Sequence, residues 1–253
     1  MKMKPIGPLS ALAFLSLAML AACSAPDVQP PTTSETVAPN QVSDFETLYA
    51  QNCAGCHGAQ GRGGASIALA NPVYLAIVDE STIRNIVTNG VRGTSMPAFA
   101  QSAGGMLTEP QVEVIANGIF SHWARKEVFA GTSPPSYAAK AAGNADHGQV
   151  AFGTYCASCH GSEGGGTQKG SAITNDSFLA LVSDQALRTI VITGRPELGA
   201  PDWRGNVPGR AMTDQEITDI VAWLASQRAQ NPGQPYSVSN YAQHPLKCRR
   251  EEK

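Results

Sequence analysis

The chain has 253 residues, 42% of them hydrophobic and 15% charged, with a formal net charge of −2. That size allows one or two domains with cores of their own. The charge excludes the basic face that holds a nucleic acid.

Residues 1–22 read as an export signal. Lys2 and Lys4 form a positive start, and Leu9 to Ala22 is an apolar run too short to remain as a spanning helix. The run ends in Leu20-Ala21-Ala22-Cys23, which resembles a bacterial lipobox, where the signal is cut before the cysteine and a diacylglycerol is attached to it. On that reading Cys23 anchors the protein to the periplasmic side of a bacterial membrane. The alternative is an ordinary secretory signal with Cys23 incidental. Ser24 supplies no retention signal of the Asp type, so inner and outer membrane both stay open. Residues 23–42, rich in Pro, Thr, Ser and Gln, read as a disordered tether.

Residues 43–132 form a first unit. Phe45, Leu48 and Tyr49 recur at helical spacing over Ser43 to Asn52. This helix runs into Cys53-Ala54-Gly55-Cys56-His57, a C-x-x-C-H motif that signals c-type haem attachment. Two thiols about one helical turn apart reach the two vinyl groups of one porphyrin, and the following histidine lies under the iron. A glycine-rich loop, Gly58 to Ala65, follows. Short helices are expected over Asn71–Ile77 and Glu80–Val87, the latter closed by Asn89-Gly90. The loop Val91 to Phe99 holds Met96-Pro97. Thr108, with Pro110 just inside, starts a last helix through Val112, Ile115, Ile119 and Phe120.

Residues 133–145 read as a linker, because Pro134-Pro135 breaks helix and Ala138 to Ala142 is weakly patterned. Residues 146–228 repeat the first unit, with a second motif at Cys156-Ala157-Ser158-Cys159-His160. The offset is 103 at the motif and 104 from the short helices onward. Thr213 and Glu216 form a capping box before a helix through Ile217, Ile220, Val221 and Leu224. Residues 229–253 read as an irregular tail.

Two chance copies of the motif in one chain are negligible. A zinc site uses cysteine pairs of similar spacing, and a thioredoxin-like motif wants a preceding strand and no obligatory histidine. The arithmetic of six cysteines favours two haem c groups, attached at Cys53 and Cys56 and at Cys156 and Cys159, with His57 and His160 as iron ligands. Cys23 takes the lipid, and Cys248 in the charged tail is left over. Without residues 1–22 the chain has 16 basic against 20 acidic residues, and haem propionates add further negative charge. An acidic carrier is steered to basic faces of its partners.

Each unit resembles a class I cytochrome c domain, over residues 43–120 and 146–228, on the haem motif, the Met-Pro loop and the terminal helices. The resemblance implies an all-α fold of two tandem cytochrome c-like domains, each wrapped round one haem with first and last helices crossing. In the second unit it implies that Gly148 lets Trp223 of the last helix come close, with Phe152 four residues before Cys156. The first unit has Phe45 in place of that glycine and Gly118 in place of that tryptophan, so the large and small partners should be exchanged and Phe45 should lie over Gly118.

The resemblance further implies Met96 as the distal iron ligand of the first haem, with Met106 as competitor. A soft thioether favours Fe(II) and raises the potential. In the second unit the repeat puts Ala200-Pro201 opposite Met96-Pro97, and alanine cannot bind iron. Met212 aligns with Leu107, a place for an apolar staple. A vacant or water-bound iron, Met212, Lys169, His147, His244 or a tail residue all remain as readings of the second distal position. Arg195 and Arg204 are candidates for haem-propionate or anion contacts.

No catalytic acid–base pair is visible. The expectation is a membrane-tethered dihaem electron carrier working between a dehydrogenase, an oxidase or another cytochrome. The alternative is a peroxidase-like dihaem enzyme or gas sensor using an open second iron.

Overall fold

The computed structural model describes residues 37–129 and 131–229. Cys23, most of the expected tether, Cys248, His244 and the expected tail beyond residue 229 lie outside the described residues. The chain divides into two units, Met1–Ala38 and Pro39–Lys253, and every helix among the described residues lies in the second. Among the described residues there are ten α-helices and no strands, with three isolated bridges in loops.

The first half runs α1 (Phe45–Asn52), α2 (Ala54–His57), α3 (Pro72–Ile77), α4 (Glu80–Asn89) and α5 (Glu109–Trp123). The second half repeats the order as α6 (Ala145–Tyr155), α7 (Ala157–His160), α8 (Asp176–Leu181), α9 (Asp184–Thr193) and α10 (Asp214–Ser226). Side chains set the starts. Asp44 accepts from the Thr47 amide at 2.8 Å, and Asn71 and Asn175 cap α3 and α8 by accepting from two amides each. Both last helices begin with a capping box, Thr108 with Gln111 and Thr213 with Glu216. Gln111 does a second task. Its Nε2 donates to the carbonyls of Pro39 and Val42, at 2.8 and 3.0 Å, so Pro39–Gln41 at the end of the expected tether is wound into one 3-10 turn.

In each half the first helix packs on the last: α1 on α5 and α6 on α10. At the first crossing a methyl group added to Gly118 would stand 2.0 Å from Phe45 Cδ2. At the second, one added to Gly148 would stand 1.9 Å from the Asp219 carbonyl oxygen and 2.8 Å from Trp223 Cβ. The exchange of large and small residues is therefore real. Phe45 also stacks on His122 at 4.5 Å and meets Trp123 edge-on at 5.5 Å. That aromatic cluster holds α5 through Trp123, three residues past the expected end at Phe120.

Two apolar cores result. Leu48, Tyr49, Leu75, Ile83, Val112, Ile115 and Ile119 fill the first, and Phe152, Leu179, Ile192, Trp203, Ile217 and Ile220 the second. Each such side chain contributes about 1.5–3 kcal/mol on burial. The halves are not separate beads. Val73 of α3 is buried in the second core, where Ile77, Val128 and Phe129 also pack, and Tyr137 from the expected linker packs on the first.

A buried arginine fastens that linker. Arg188 is 2% exposed. Its Nε donates to the carbonyls of Ser136 and Tyr137, its Nη1 to Thr218 Oγ1, and its Nη2 to Ser136 O and Asp214 Oδ1. All three nitrogens have partners, so the buried charge is paired.

Candidate haem sites

Each haem motif is a short helix joined to the end of a longer one. The Cys53 amide donates to Tyr49 O at 2.9 Å and the His57 amide to Cys53 O at 3.0 Å. Gly58 then ends α2 with φ +84°, and an added Cβ there would lie 1.8 Å from Arg62 O, so only glycine fits. The second motif repeats this, with Cys156 N to Phe152 O at 2.8 Å, His160 N to Cys156 O at 3.0 Å, and Gly161 at φ +80°.

The two histidines are oriented alike. His57 Nδ1 lies 2.8 Å from Ile67 O, and His160 Nδ1 lies 2.8 Å from Ser171 O. A carbonyl oxygen only accepts, so in each ring the proton sits on Nδ1 and the Nε2 lone pair is left for a metal. Burial pushes the His57 pKa down, against the Ile67 hydrogen bond, which raises it. The ring therefore stays neutral, as an iron ligand must.

The four motif cysteines are free of disulfides. Burial, helped by the neighbouring thiol of its own motif, pushes Cys53 and Cys156 up to about 12. At neutral pH these are thiols, not the low-pKa thiolates of a redox motif. Among the described residues no group of three or more His, Cys, Asp and Glu side chains forms a metal cluster, so neither motif is completed to a four-ligand zinc set. Two thiols one turn apart, beside an imidazole with Nε2 free, fit a covalently attached haem. The haem supplies a one-electron Fe(III)/Fe(II) couple. With the group bound, Cys53 and Cys56, and Cys156 and Cys159, would hold its edge, and His57 and His160 would offer Nε2 to the iron.

The loops on the expected distal side match as well. Gly90, at φ +65°, ends α4 and lies against the Met96–Ala98 backbone, and the Val91 amide donates to Met96 O at 3.0 Å. Gly194, at φ +63°, ends α9 and lies against Ala200 and Pro201, and the Arg195 amide donates to Ala200 O at 2.9 Å. Ala200 thus occupies the backbone position of Met96. Met96 is half-buried, whereas the competitor Met106 is 79% exposed. Met212 is buried in the second core, and its amide donates to Trp203 O at 2.9 Å just as Leu107 donates to Phe99 O at 2.7 Å. It fills the staple place. His147 and Lys169 are exposed. Arg195 and Arg204 each have a carboxylate partner: Arg195 pairs with Glu197, and Arg204 forks onto Asp202 while lying 4.6 Å over the Trp203 ring.

Contacts that the sequence did not reveal lie between the halves. Asn71 Nδ2 donates to Thr193 O at 3.1 Å, and Arg195 Nη2 donates to Gly64 O at 2.8 Å. The repeat shows Asn71 and Asn175 alike as helix caps. Nothing in their spacing marks Asn71 for a second bond.

A family model described as cytochrome c oxidase, cbb3-type, subunit III matches residues 40–116 and again 143–224. The chain belongs to this family. It is thus a tandem class I c-type cytochrome, a haem electron-transfer protein with covalently bound haem c. A relative is the cbb3-type cytochrome c oxidase subunit CcoP of Azospirillum sp. (strain B510), 28% identical over 126 residues. That match takes in 46% of this chain and 38% of the relative's length. Among solved structures, the reducing HAO-like protein complex of Kuenenia stuttgartiensis is 17% identical, with a TM-score of 0.40, over 74% of this chain and 97% of that one. Thiosulfate dehydrogenase TsdBA from Marichromatium purpuratum is 20% identical, with a TM-score of 0.29, over 84% and 47%. No helix among the described residues is long and apolar enough to cross a membrane.

Proposed function

We propose that the protein is a dihaem electron carrier, tethered by a lipid at Cys23 to the periplasmic side of a bacterial membrane, that relays electrons between a dehydrogenase or another cytochrome and a terminal oxidase. The observation that carries the relay is the fixed seam between the halves. Asn71 and Arg195 join them by two direct hydrogen bonds, and α3 is shared between both cores. Two redox centres held in one body exchange electrons without diffusing. The relative named as an oxidase subunit favours an oxidase as acceptor. In this role Met96 is the distal ligand of the first haem, with His57 and His160 proximal to the two irons. Residues 23–38, ahead of the 3-10 turn that Gln111 holds, set the reach from the membrane.

The test is rapid mixing of the fully reduced protein with a small one-electron oxidant, followed at both haem bands. Two haems that oxidise in sequence with fast internal equilibration support the relay. Two that react independently, with no transfer between them, overturn it. Membrane fractionation of the full chain against Cys23→Ser tests the anchor, and release of wild type with the soluble fraction would remove it.

A second reading rests on Ala200. With no thioether at that position, the second iron takes an exogenous ligand and works as an enzyme or gas sensor beside an electron-entry first haem. Optical and EPR spectra with and without CO decide this. Two low-spin six-coordinate haems that both refuse CO would sink it.

A further inference from the structure

The seam between the halves joins two particular loops. On the first side it is the loop that supports the proximal histidine. A Cβ on Gly64 would lie 2.1 Å from the Cys56 carbonyl oxygen, so this loop rests directly on the haem-bearing turn. The Ser66 amide donates to the same oxygen at 3.0 Å, and the next residue, Ile67, accepts the His57 Nδ1 proton. On the second side the seam meets the loop that carries Ala200. Arg195 is bonded to Ala200 in both directions, N–H to O at 2.9 Å and O to H–N at 3.0 Å.

The guanidinium of Arg195 links these two loops. It is largely buried, pairs with Glu197 in the 3-10 turn Pro196–Leu198, and donates from Nη2 to Gly64 O at 2.8 Å. A planar fork held on both sides has little freedom to swing. The contacts therefore form a short unbroken series: Ala200 to Arg195, Arg195 to Gly64, then the Gly64–Ile67 loop to His57. The bond from His57 to a backbone carbonyl tunes the basicity of the ring as a ligand.

We propose that Arg195 is a positioning residue that couples the two haem sites, so that a ligand entering beside Ala200 changes the redox equilibrium of the first haem. The proposal rests on the reading of Ala200 as the residue at an open sixth position. A ligand that displaces the Ala200 loop moves Arg195, and Arg195 moves the loop that holds the proximal histidine of the other haem. By linkage the effect is reciprocal: reduction of the first haem changes ligand affinity at the second.

The experiment uses the full haem-loaded chain and imidazole, a neutral ligand for Fe(III), so that no charge is added. The first haem is titrated potentiometrically with and without imidazole, in wild type, Arg195→Ala and Arg195→Lys. In wild type the imidazole affinity should differ by at least about fivefold between the two redox states of the first haem, which is about 40 mV in its midpoint at about 59 mV per tenfold. In Arg195→Ala imidazole still binds, but the difference falls below about twofold. Arg195→Lys keeps the charge and one donor, so it should fall between the two, and it serves if the alanine variant does not load haem. A wild-type midpoint unmoved by bound imidazole overturns the coupling and leaves the open iron standing. A shift that persists in full in both variants also overturns it, because it then travels by another route. If wild type binds no imidazole at all, the open-iron reading falls first and the coupling falls with it.

Discussion

The crossing of α1 and α5 makes a prediction whose sign depends on its neighbour. In Gly118→Ala the new methyl would lie 2.0 Å from Phe45 Cδ2 and 2.5 Å from Cγ. Carbon atoms rest at about 3.5–4.0 Å, so the ring must move about 1.5 Å or more against His122 and Trp123. Overpacking of this kind costs about 1–3 kcal/mol, while alanine in a helix interior returns about 1 kcal/mol over glycine. We expect Gly118→Ala to destabilise by up to about 2 kcal/mol with Phe45 in place. In a Phe45→Ala background the clash is gone, and the same change should stabilise by about 1 kcal/mol. Denaturant unfolding followed by far-UV circular dichroism on the four members of the cycle measures this. Equal destabilisation in both backgrounds would refute the packing argument. The second crossing supplies a contrast. At Gly148 the first atom met is the backbone oxygen of Asp219, so Gly148→Ala should destabilise whether or not Trp223 is truncated.

Three further outcomes follow from the sites. Met96→Ala should lower the midpoint of the first haem and make it bind CO, while Ala200→Met should raise the midpoint of the second; redox titration reads both, and an unmoved first midpoint removes Met96 as ligand. Arg188→Met, which strands the Ser136 and Tyr137 carbonyls, should cost about 3 kcal/mol, the low end for a broken buried pair, because Asp214 keeps partial access to water; a loss below about 1 kcal/mol in denaturant unfolding would mean that the linker is not held through this residue. The protein should also lose stability in acid. Burial works to raise both Asp214 and Glu216, but Ser136 and Arg188 at the first, and Thr213, Tyr155 and Arg210 at the second, hold them below their ordinary values of 3.8 and 4.5. Their contribution is full above those values and lost as pH falls through the lowered ones, so melting temperature should drop below about pH 4. Arg188→Met should flatten that drop.

Much of this molecule could be read in its residues, for local reasons. The haem motif is a covalent requirement on five consecutive positions, and capping residues act within three or four positions of themselves. The repeat allowed one half to be read by the other, which found Ala200 and the Phe45–Gly118 exchange. What escaped was long-range and unrepeated. Arg188 aligns with Arg84, yet Arg84 forms exposed pairs with Glu80 and Glu113 while Arg188 is buried on the linker carbonyls. The difference lies in what the chain lays over the helix, and helical spacing does not carry that. Backbone carbonyls such as Gly64 O and Thr193 O have no side-chain signature, so the seam they form could not be seen in advance. Trp203, in the loop after Ala200, is one of the largest buried side chains: its amide is tied to Ile192 O at 3.1 Å and its ring meets Phe129.

The placing of Val73 in the core of the other half bears on how tandem cytochromes diverge. Two copies that merely follow each other on a chain can be excised, exchanged or multiplied. Here α3 offers one face to each half, so the first half cut away on its own would bare Val73 and Ile77 as a sticky patch, and the second would be left with a notch. The two copies have lost their interchangeability. The two halves are inherited and loaded with haem as one piece, and a substitution on α3 is judged by both.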